Sequence, residues 1–233
     1  MIYTFNLLSP DEVRRVNEKY DEAAHWNKGK VWIVDSNVDK PSIKKNKVLD
    51  RHSKEYNYCV ELLNKAMQTN TLFKSTYVMK DITQPLVTQY SEGDFYAKHV
   101  DSVNISGLRT DHSMTLFLSD PDEYEGGELI LYHGDTEYKI KEPAGTVVIY
   151  NTGLVHEVKP VTSGNRRVIL MWALSVFDDP MMREHVIDLG RGITDLLDWC
   201  EANPNIGYEE MQRVLVPIEQ VRTNIMRTYG NLS

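Results

Sequence analysis

Gly145 to Trp172 read GTVVIYNTGLVHEVKPVTSGNRRVILMW, and this stretch decides the fold. It contains three short runs rich in β-branched and aromatic residues, GTVVIY, HEVKPV and RRVILMW. The residues between the runs are mainly Asn, Gly and Ser, which favour turns. Short strands joined by turns predict antiparallel β-structure in this part of the chain.

Runs of the same kind extend outward and cover the chain from Thr76 to about Leu174. Those before the quoted stretch read TYVM, PLVTQY, SMTLFLS, GELILY and EYKIK. No helices alternate with these strands, which disfavours a doubly wound parallel sheet. The pattern predicts an antiparallel sandwich or barrel as the core of the protein.

Helices are predicted on both sides of the β-rich core. Ser9-Pro10-Asp11-Glu12 is a capping box with proline at the first helical position, so a helix should run from here to about Trp26. A second helix is expected from about Ser53 to Met67, and helices return after Pro180. An apolar stripe near the C-terminus predicts a face packed on the domain or on a partner; it comprises Met211, Val214, Leu215, Ile218, Val221, Ile225 and Met226.

The 233 residues are expected to form one domain. Residues 1–75 would be an N-terminal helical support, residues 76–177 the β-core that carries the site, and residues 178–233 a C-terminal helical region. The flanking helices either brace the core or form a homo-oligomer interface, and both interpretations stay open.

Charge and cysteine content restrict the classes of partner and compartment. A net charge of -8 and a pI near 5.4 argue against a nucleic acid or an anionic membrane as partner, because phosphate neutralisation needs clustered Lys and Arg. The nearest basic run, IKKNK at Ile43 to Lys47, predicts a solvated loop. The two cysteines indicate buried thiols in a reducing compartment. With no signal peptide and no run of about 18 apolar residues, a cytoplasmic location is expected.

The sequence holds two His-x-Asp motifs, and only one of them suits a metal. His133-Gly134-Asp135 joins two alternating runs, where glycine and aspartate predict a hairpin turn. His99-Val100-Asp101 follows a strand, and residues two apart in an extended chain point to the same side. If that strand continues, the two side chains face one space.

A third ligand and a cation are expected later in the chain. A non-haem Fe(II) centre needs two histidines and a carboxylate on one triangular face, and His156 opens a strand 55 residues after Asp101. Arg166 follows ten residues on, past Thr162 to Asn165, which predict a hairpin turn that brings Arg166 beside the His156 strand. Its guanidinium suits a dicarboxylate that bridges to the metal. Taken singly, a core histidine and a surface arginine are the more common explanations; the order and spacing favour the site.

These residues carry a resemblance to a known family. HVD and HEVKPVTSGNR resemble the Fe(II)- and 2-oxoglutarate-dependent dioxygenases, in their prolyl 4-hydroxylase-like branch. RTDHSMTLFLSDPDEYEGGELILY, Arg109 to Tyr132, is similar to the central block of the PKHD-type hydroxylases. The similarity covers about Tyr90 to Ser175. It implies a double-stranded β-helix, a jelly roll, as the core within a mainly β fold with flanking α-helices.

The resemblance also implies roles for individual residues. His99, Asp101 and His156 would be the catalytic iron ligands. Arg166 would bind the C5 carboxylate of 2-oxoglutarate, with Tyr90 close to the cosubstrate. Fe(II), 2-oxoglutarate and O2 are the implied cofactors and cosubstrates, with ascorbate as a reductant.

Other residues of the similar region are weaker candidates for the pocket. Tyr96 is a candidate for the pocket wall, although an aromatic residue in a strand more often has a packing role alone. Arg109, Asp111 and Trp172 are candidates for the mouth or wall of the pocket. An ordinary salt bridge or core aromatic would explain the last three equally well. His112 could face the substrate, but a position on the surface is the expected one.

The expected activity couples oxidative decarboxylation of 2-oxoglutarate, to succinate and CO2, with hydroxylation of a substrate C–H bond. The substrate would be a prolyl or similar peptidyl or amino-acid compound, or another small molecule. The alternative is a cupin-like module that binds metal or 2-oxoglutarate without turnover. A zinc hydrolase is disfavoured because it would have no use for Arg166.

Overall fold

The computed structural model of the chain describes residues 2–29 and 43–231. The chain divides into two compact units. The larger comprises Met1–Ala66 and Ile82–Ala173, and the smaller comprises Met67–Asp81 and Leu174–Ser233. No helix in the described part of the chain is long and apolar enough to cross a membrane.

Residues 2–29 and 43–231 form five helices and seventeen strands. The helices are α1 (Pro10–Glu22), α2 (Lys54–Thr69), α3 (Thr71–Thr76), α4 (Pro180–Ala202) and α5 (Tyr208–Tyr229). The strands are β1 (Ile2–Asn6), β2 (Trp26–Lys28), β3 (Lys44–Lys45), β4 (Lys47–Leu49), β5 (Met79–Ile82), β6 (Leu86–Tyr90), β7 (Phe95–His99), β8 (Asn104–Ile105), β9 (Leu108–Arg109), β10 (His112–Phe117), β11 (Tyr124–Gly126), β12 (Leu129–His133), β13 (Thr136–Ile140), β14 (Thr146–Asn151), β15 (Val155–Val158), β16 (Val161–Gly164) and β17 (Arg166–Ser175).

The larger unit is built on two antiparallel sheets. One has the strand order β1-β14-β10-β17-β6-β4-β2, and the other has the order β13-β12-β15-β7-β3. Side chains of both sheets pack into a single core, which includes Phe117, Val148 and Val168 of the first sheet and Leu131 and Val158 of the second. Each fully buried aliphatic side chain of this kind stabilises the fold by about 1.5–3 kcal/mol. The mainly β jelly-roll fold expected from the sequence is confirmed.

The path between His156 and Arg166 differs from the predicted hairpin. The strand that holds His156, β15, pairs with β12 and β7 in the second sheet, whereas β17 pairs with β10 and β6 in the first. Pro160 follows β15 and has no N–H to donate, and the next residues pair with β11 as β16. The chain therefore crosses between the sheets, and the prediction that Arg166 lies beside the His156 strand is wrong.

The N-terminal part contains strands that the sequence patterns did not predict. The capping box at Ser9 is present and begins α1, but the helix ends at Glu22, and Trp26 begins a strand that pairs with β4. The IKKNK segment is not a solvated loop. Its lysines belong to β3, which pairs with β7, and to β4, which pairs with β6. Pairing with sheet edges stabilises these short polar strands, and their own sequence does not encode it.

The smaller unit is mainly helical, and α4 begins where the sequence predicts, whereas α3 lies in a stretch for which the sequence predicted no helix. Asp179 caps α4, which starts at Pro180. Val176, Phe177 and Val186 form the core of this unit, and Ile225 and Met226 of α5 pack against it. The predicted apolar stripe of α5 is only partly covered, since Leu215 is buried while Val214 and Val221 are 48% and 53% exposed.

Candidate functional site

The two sheet strands β7 and β15 bring the predicted ligands together. His99 ends β7, and its antiparallel partner in β15 is His156. Asp101 lies two residues beyond His99, with its carboxylate oxygens 3.5 Å from Nε2 of each histidine. The three ligand atoms all lie within 4.8 Å of one another. Two imidazoles and a carboxylate in this arrangement suit a ferrous ion with open positions.

Backbone contacts orient both imidazole rings. Nδ1 of His99 lies 2.8 Å from the carbonyl oxygen of Ala97, and Nδ1 of His156 lies 2.9 Å from that of Leu154. A carbonyl oxygen only accepts, so each Nδ1 is the donor and carries the proton. In the neutral ring, Nε2 then keeps its lone pair and faces Asp101. Burial lowers the pKa of His156, which favours this neutral form.

Two donors hold the Asp101 carboxylate in place. The Ser113 hydroxyl and the Trp172 indole N–H each donate to Oδ2 at 2.7 Å. Burial alone would raise the pKa of Asp101, but the two histidines, when they are protonated, and these two donors outweigh it and lower the pKa to about 2. The carboxylate is therefore ionised at neutral pH, as a metal ligand must be.

Aromatic rings form the walls around the histidines. The Tyr96 ring stacks on His99 with centroids 3.5 Å apart, and Tyr150 meets His156 edge-on at 5.3 Å. Nζ of Lys44 lies 4.4 Å from the centre of the Tyr96 ring. Burial lowers the pKa of Lys44 to about 8, although the negative charge of Asp101 acts to raise it. The position of Tyr96 agrees with its predicted place in a pocket wall, whereas the sequence patterns missed Lys44.

Arg166 is a buried cation beside Tyr90. The two residues are cross-strand partners in β17 and β6, and the guanidinium carbon lies 5.2 Å from the Tyr90 ring centre and 5.3 Å from that of Phe117. Arg166 is 1% exposed, yet its Nε and Nη1 have no hydrogen-bond partner among the described residues. A buried guanidinium with unpaired donors suits a carboxylate ligand. The predicted surface alternative for Arg166 is excluded.

The Tyr124 to Gly127 segment of the central block supports Arg166. Gly127 has a φ of +66°, and a Cβ at this position would lie 3.2 Å from Cδ of Arg166 and 3.1 Å from Cε2 of Tyr124. Burial raises the pKa of the Tyr124 hydroxyl, and its interaction with the Arg166 guanidinium opposes that rise. The EYEGGEL sequence was the available signal for this contact, because consecutive glycines indicate backbone that closely approaches another group.

The electrostatic contacts join the histidine cluster and Arg166 into one site. Tyr90 and Tyr150 each interact electrostatically with both Asp101 and Arg166. Burial raises the pKa of Tyr90 to about 12, so its hydroxyl stays protonated at neutral pH. The arrangement places the His99, Asp101 and His156 cluster and the Arg166 guanidinium around the same two tyrosines.

The other residues that the sequence suggested for the pocket contact neighbouring side chains or lie in the core. Arg109 is 45% exposed and pairs with Asp111 at 3.0 Å. Trp172 contacts the site through its indole N–H, which donates to Asp101. His112 is buried in β10, so the prediction of a surface position is wrong. Its strand is buried along its whole length, and that burial depends on pairing with β14 and β17.

The second His-x-Asp motif forms the predicted turn. β12 ends at His133 and β13 begins at Thr136, which are register partners. Gly134 has a φ of +59°, the left-handed conformation that glycine adopts without strain. His133 and Asp135 are exposed, and the hairpin explains this motif without a metal.

The chain is similar in sequence to known oxygenases and hydroxylases. Residues 85–174 match the 2OG-Fe(II) oxygenase superfamily. A PKHD-type hydroxylase of Acinetobacter baumannii (strain SDF) is 33% identical over 97% of this chain and 97% of its own length. A PKHD-type hydroxylase of Janthinobacterium sp. (strain Marseille) is 33% identical over 84% of this chain and 88% of its own length. The chain therefore belongs to the 2OG-Fe(II) oxygenase superfamily. Within that superfamily it groups with the PKHD-type hydroxylases, which confirms the resemblance seen in the sequence.

Solved structures share the fold at lower identity. A prolyl-4-hydroxylase of Pseudomonas putida has a TM-score of 0.51 and 19% identity, covering 75% of this chain and 92% of its own. A prolyl hydroxylase from Trichoplax adhaerens has a TM-score of 0.53 and 21% identity, covering 75% and 83%; it is in complex with a hypoxia inducible factor oxygen degradation domain peptide fragment. These likenesses establish the fold only.

Proposed function

We propose that the protein is an Fe(II)- and 2-oxoglutarate-dependent dioxygenase that hydroxylates prolyl or similar peptidyl or amino-acid substrates. Membership in the superfamily implies Fe(II) as the metal cofactor and 2-oxoglutarate as the cosubstrate. The observation that carries the proposal is the His99, Asp101 and His156 cluster in one site with a buried arginine. Arg166 has two donors without partners among the described residues, which fits the distal carboxylate of 2-oxoglutarate.

The residues of the chain have separable tasks in this activity. Bound iron and 2-oxoglutarate would supply the oxidising chemistry, with decarboxylation to succinate and CO2. His99 and His156 would present Nε2 lone pairs, and their Nδ1–H bonds to the backbone fix the ring orientation. Trp172 and Ser113 hold Oδ2 of Asp101, which leaves Oδ1 available as the third ligand.

The walls of the site would keep water away from the reacting groups. The rings of Tyr96 and Tyr150 lie against the two histidines, and the core around Leu131 and Val148 is buried. Arg166 would neutralise one end of 2-oxoglutarate and orient the other end toward the triad. A charge-assisted bond of this kind is stronger in a buried site than in water.

The substrate class is supported by the family alone. Relatives are PKHD-type hydroxylases, and the Trichoplax adhaerens protein that shares the fold is in complex with a peptide fragment. Prolyl peptides are therefore the first substrates to test, followed by free amino acids. Ascorbate as a reductant, a homo-oligomer and a cytoplasmic location stay predictions.

The test is succinate formation from 2-oxoglutarate with Fe(II), ascorbate and air, with and without a panel of prolyl peptides. We expect turnover by the wild type, and its loss in His99→Ala and under anaerobic conditions. His133→Ala is the matched control, because it removes the histidine of the other His-x-Asp motif and should retain activity.

Two results would contradict the proposal. Equal succinate formation by His99→Ala would remove the triad from the reaction. No succinate from an iron-loaded wild type across prolyl peptides and amino acids would favour a binding module without turnover.

A further inference from the structure

Asn46 is a buried polar side chain next to the proposed cosubstrate site. It belongs to the IKKNK segment, immediately before β4, and is 5% exposed. No hydrogen bond of good geometry reaches its Nδ2 or Oδ1 from residues 2–29 and 43–231, and the Tyr90 hydroxyl is the polar neighbour that interacts with the amide. A buried amide whose hydrogen bonds are left unmade costs about 1–3 kcal/mol, so this one requires an explanation in terms of function or of stability.

The strand register places Asn46 on the same face as the arginine. Lys47 pairs with Gln89 between β4 and β6, and the next step of that antiparallel register brings Asn46 opposite Tyr90. Tyr90 is also the partner of Arg166 in β17. Residues directly opposite one another project to the same face of a sheet. Asn46, Tyr90 and Arg166 therefore form a row across three adjacent strands.

Contacts within this row agree with the register. The Asn46 side chain lies near enough to the Tyr90 hydroxyl to oppose the rise that burial causes in the pKa of Tyr90. The Gly29 N–H donates to the Asn46 carbonyl oxygen at 3.0 Å and extends the β2–β4 ladder. A Cβ at Gly29 would lie 1.7 Å from Oδ1 of Asn46, so the glycine makes room for this amide.

The chemistry of the row suits one end of a dicarboxylate. A carboxylate has two oxygens and about four acceptor positions, and Nε and Nη1 of Arg166 would occupy two of them. An amide N–H is a neutral donor, so it adds a hydrogen bond without placing a second positive charge beside a carboxylate that Arg166 already neutralises. An aspartate at this position would instead repel the ligand.

We propose that Asn46 is a binding residue for the distal carboxylate of 2-oxoglutarate, donating from Nδ2 alongside Arg166. This inference rests on the proposed function, because it takes 2-oxoglutarate as the ligand of Arg166. It assigns the selectivity for a 2-oxo acid with a distal carboxylate to one residue of β17, Arg166, and one residue just before β4, Asn46. Asn46 thus helps to determine which 2-oxo acid the enzyme accepts.

The experiment is an anaerobic calorimetric titration of the Fe(II)-loaded protein with 2-oxoglutarate and, separately, with 2-oxobutyrate, which lacks the distal carboxylate. We expect Asn46→Ala to raise the Kd for 2-oxoglutarate about tenfold, and Asn46→Asp to raise it further. Neither should change the Kd for 2-oxobutyrate by more than about twofold. Asn27→Ala, an exposed asparagine of the adjacent β2, is the matched control and should leave both values unchanged.

The outcomes separate this inference from the function on which it rests. If Arg166→Ala weakens 2-oxoglutarate binding while Asn46→Ala does not, the role of Asn46 is overturned and the cosubstrate site stands. Equal losses for both 2-oxo acids in Asn46→Ala would show a structural role only, and would also overturn it. If the iron-loaded wild type does not bind 2-oxoglutarate, the proposed function itself fails.

Discussion

At the scale of single residues, the site depends on which polar side chains the fold buries without internal partners. Arg166 and Asn46 are both among the buried residues, yet Arg166 lies on the first sheet's long strand β17 and Asn46 in a short polar segment. A buried guanidinium without compensation is costly. The position of Arg166 between two aromatic rings, with donors unpaired within the described chain, is therefore the most informative single feature of the molecule.

Replacement of Arg166 by alanine should weaken 2-oxoglutarate binding. Each charge-assisted hydrogen bond lost is worth about 1.5–3 kcal/mol, so the Kd should rise roughly ten- to a hundredfold or more. Arg167→Ala is the matched control, since the neighbouring Arg167 pairs with Asp21 of α1 at 2.5 Å. An anaerobic titration measures both variants, and an unchanged Kd in Arg166→Ala would remove Arg166 from the site.

The two His-x-Asp motifs provide a matched pair of aspartates. Asp101→Ala should reduce Fe(II) affinity by at least about a hundredfold, because loss of outer-shell partners alone commonly accounts for about 10- to 100-fold. Asp135→Ala should bind Fe(II) like the wild type, since Asp135 lies in an exposed hairpin turn. Anaerobic metal titration distinguishes them, and loss of iron in Asp135→Ala would mean that the other motif is the metal site.

At the scale of elements, the glycine that follows β11 has a packing role beyond its backbone conformation. Gly127 and Gly134 both have positive φ, so alanine at either position should cost about 1–2 kcal/mol of unfolding free energy. Only at Gly127 would the new Cβ meet neighbours, including Val161 Cγ2 at 2.9 Å and the Arg166 stem. Gly127→Ala should therefore also raise the Kd for 2-oxoglutarate.

Urea unfolding and an anaerobic titration of both glycine variants test this prediction. Gly134→Ala, where a Cβ would meet nothing within 4 Å, should lose stability but keep its affinity for 2-oxoglutarate. Equal affinities in the two variants would show that Gly127 is needed for the turn alone and not for Arg166.

The elements also show which parts of the fold the sequence patterns could predict. Period-two runs such as SMTLFLS and RRVILMW correspond to β10 and β17, because their own apolar residues make them strands. The two-residue turn at Gly134-Asp135 could likewise be predicted from its own residues. The strands β3 and β4 were missed because their lysines give no apolar pattern, and their strand structure comes from pairing with β7 and β6.

The same distinction applies to the site. His99, Asp101 and His156 are recognisable by motif and order. Ser113 contacts Asp101, and Asn46 lies opposite Tyr90, only through sheet pairing across long stretches of chain, which spacing does not reveal. The hairpin between His156 and Arg166 was a reasonable local prediction, but it fails because β16 pairs with β11 and carries the chain to the other sheet.

At the scale of the whole molecule, ligand binding should be coupled to folding of the larger unit. The proposed metal ligands come from β7, from Asp101 just after it and from β15, while Arg166 comes from β17. Unfolding would therefore separate all of these side chains. A ligand that binds only the native state, at a free concentration of about 100 times its Kd, raises the free energy of unfolding by roughly 2.7 kcal/mol. For a chain of 233 residues this corresponds to a rise in Tm of roughly 5 to 10 °C.

Thermal unfolding under anaerobic conditions measures this coupling, with Fe(II) and 2-oxoglutarate added singly and together. We expect the largest rise in Tm with both present, because 2-oxoglutarate would contact the metal as well as Arg166. His99→Ala should lose the rise caused by Fe(II), and Arg166→Ala should keep it while losing the further rise caused by 2-oxoglutarate. If Fe(II) stabilises His99→Ala as much as the wild type, the metal binds elsewhere, because an ion held by the triad cannot stabilise a variant that lacks one of its three ligands.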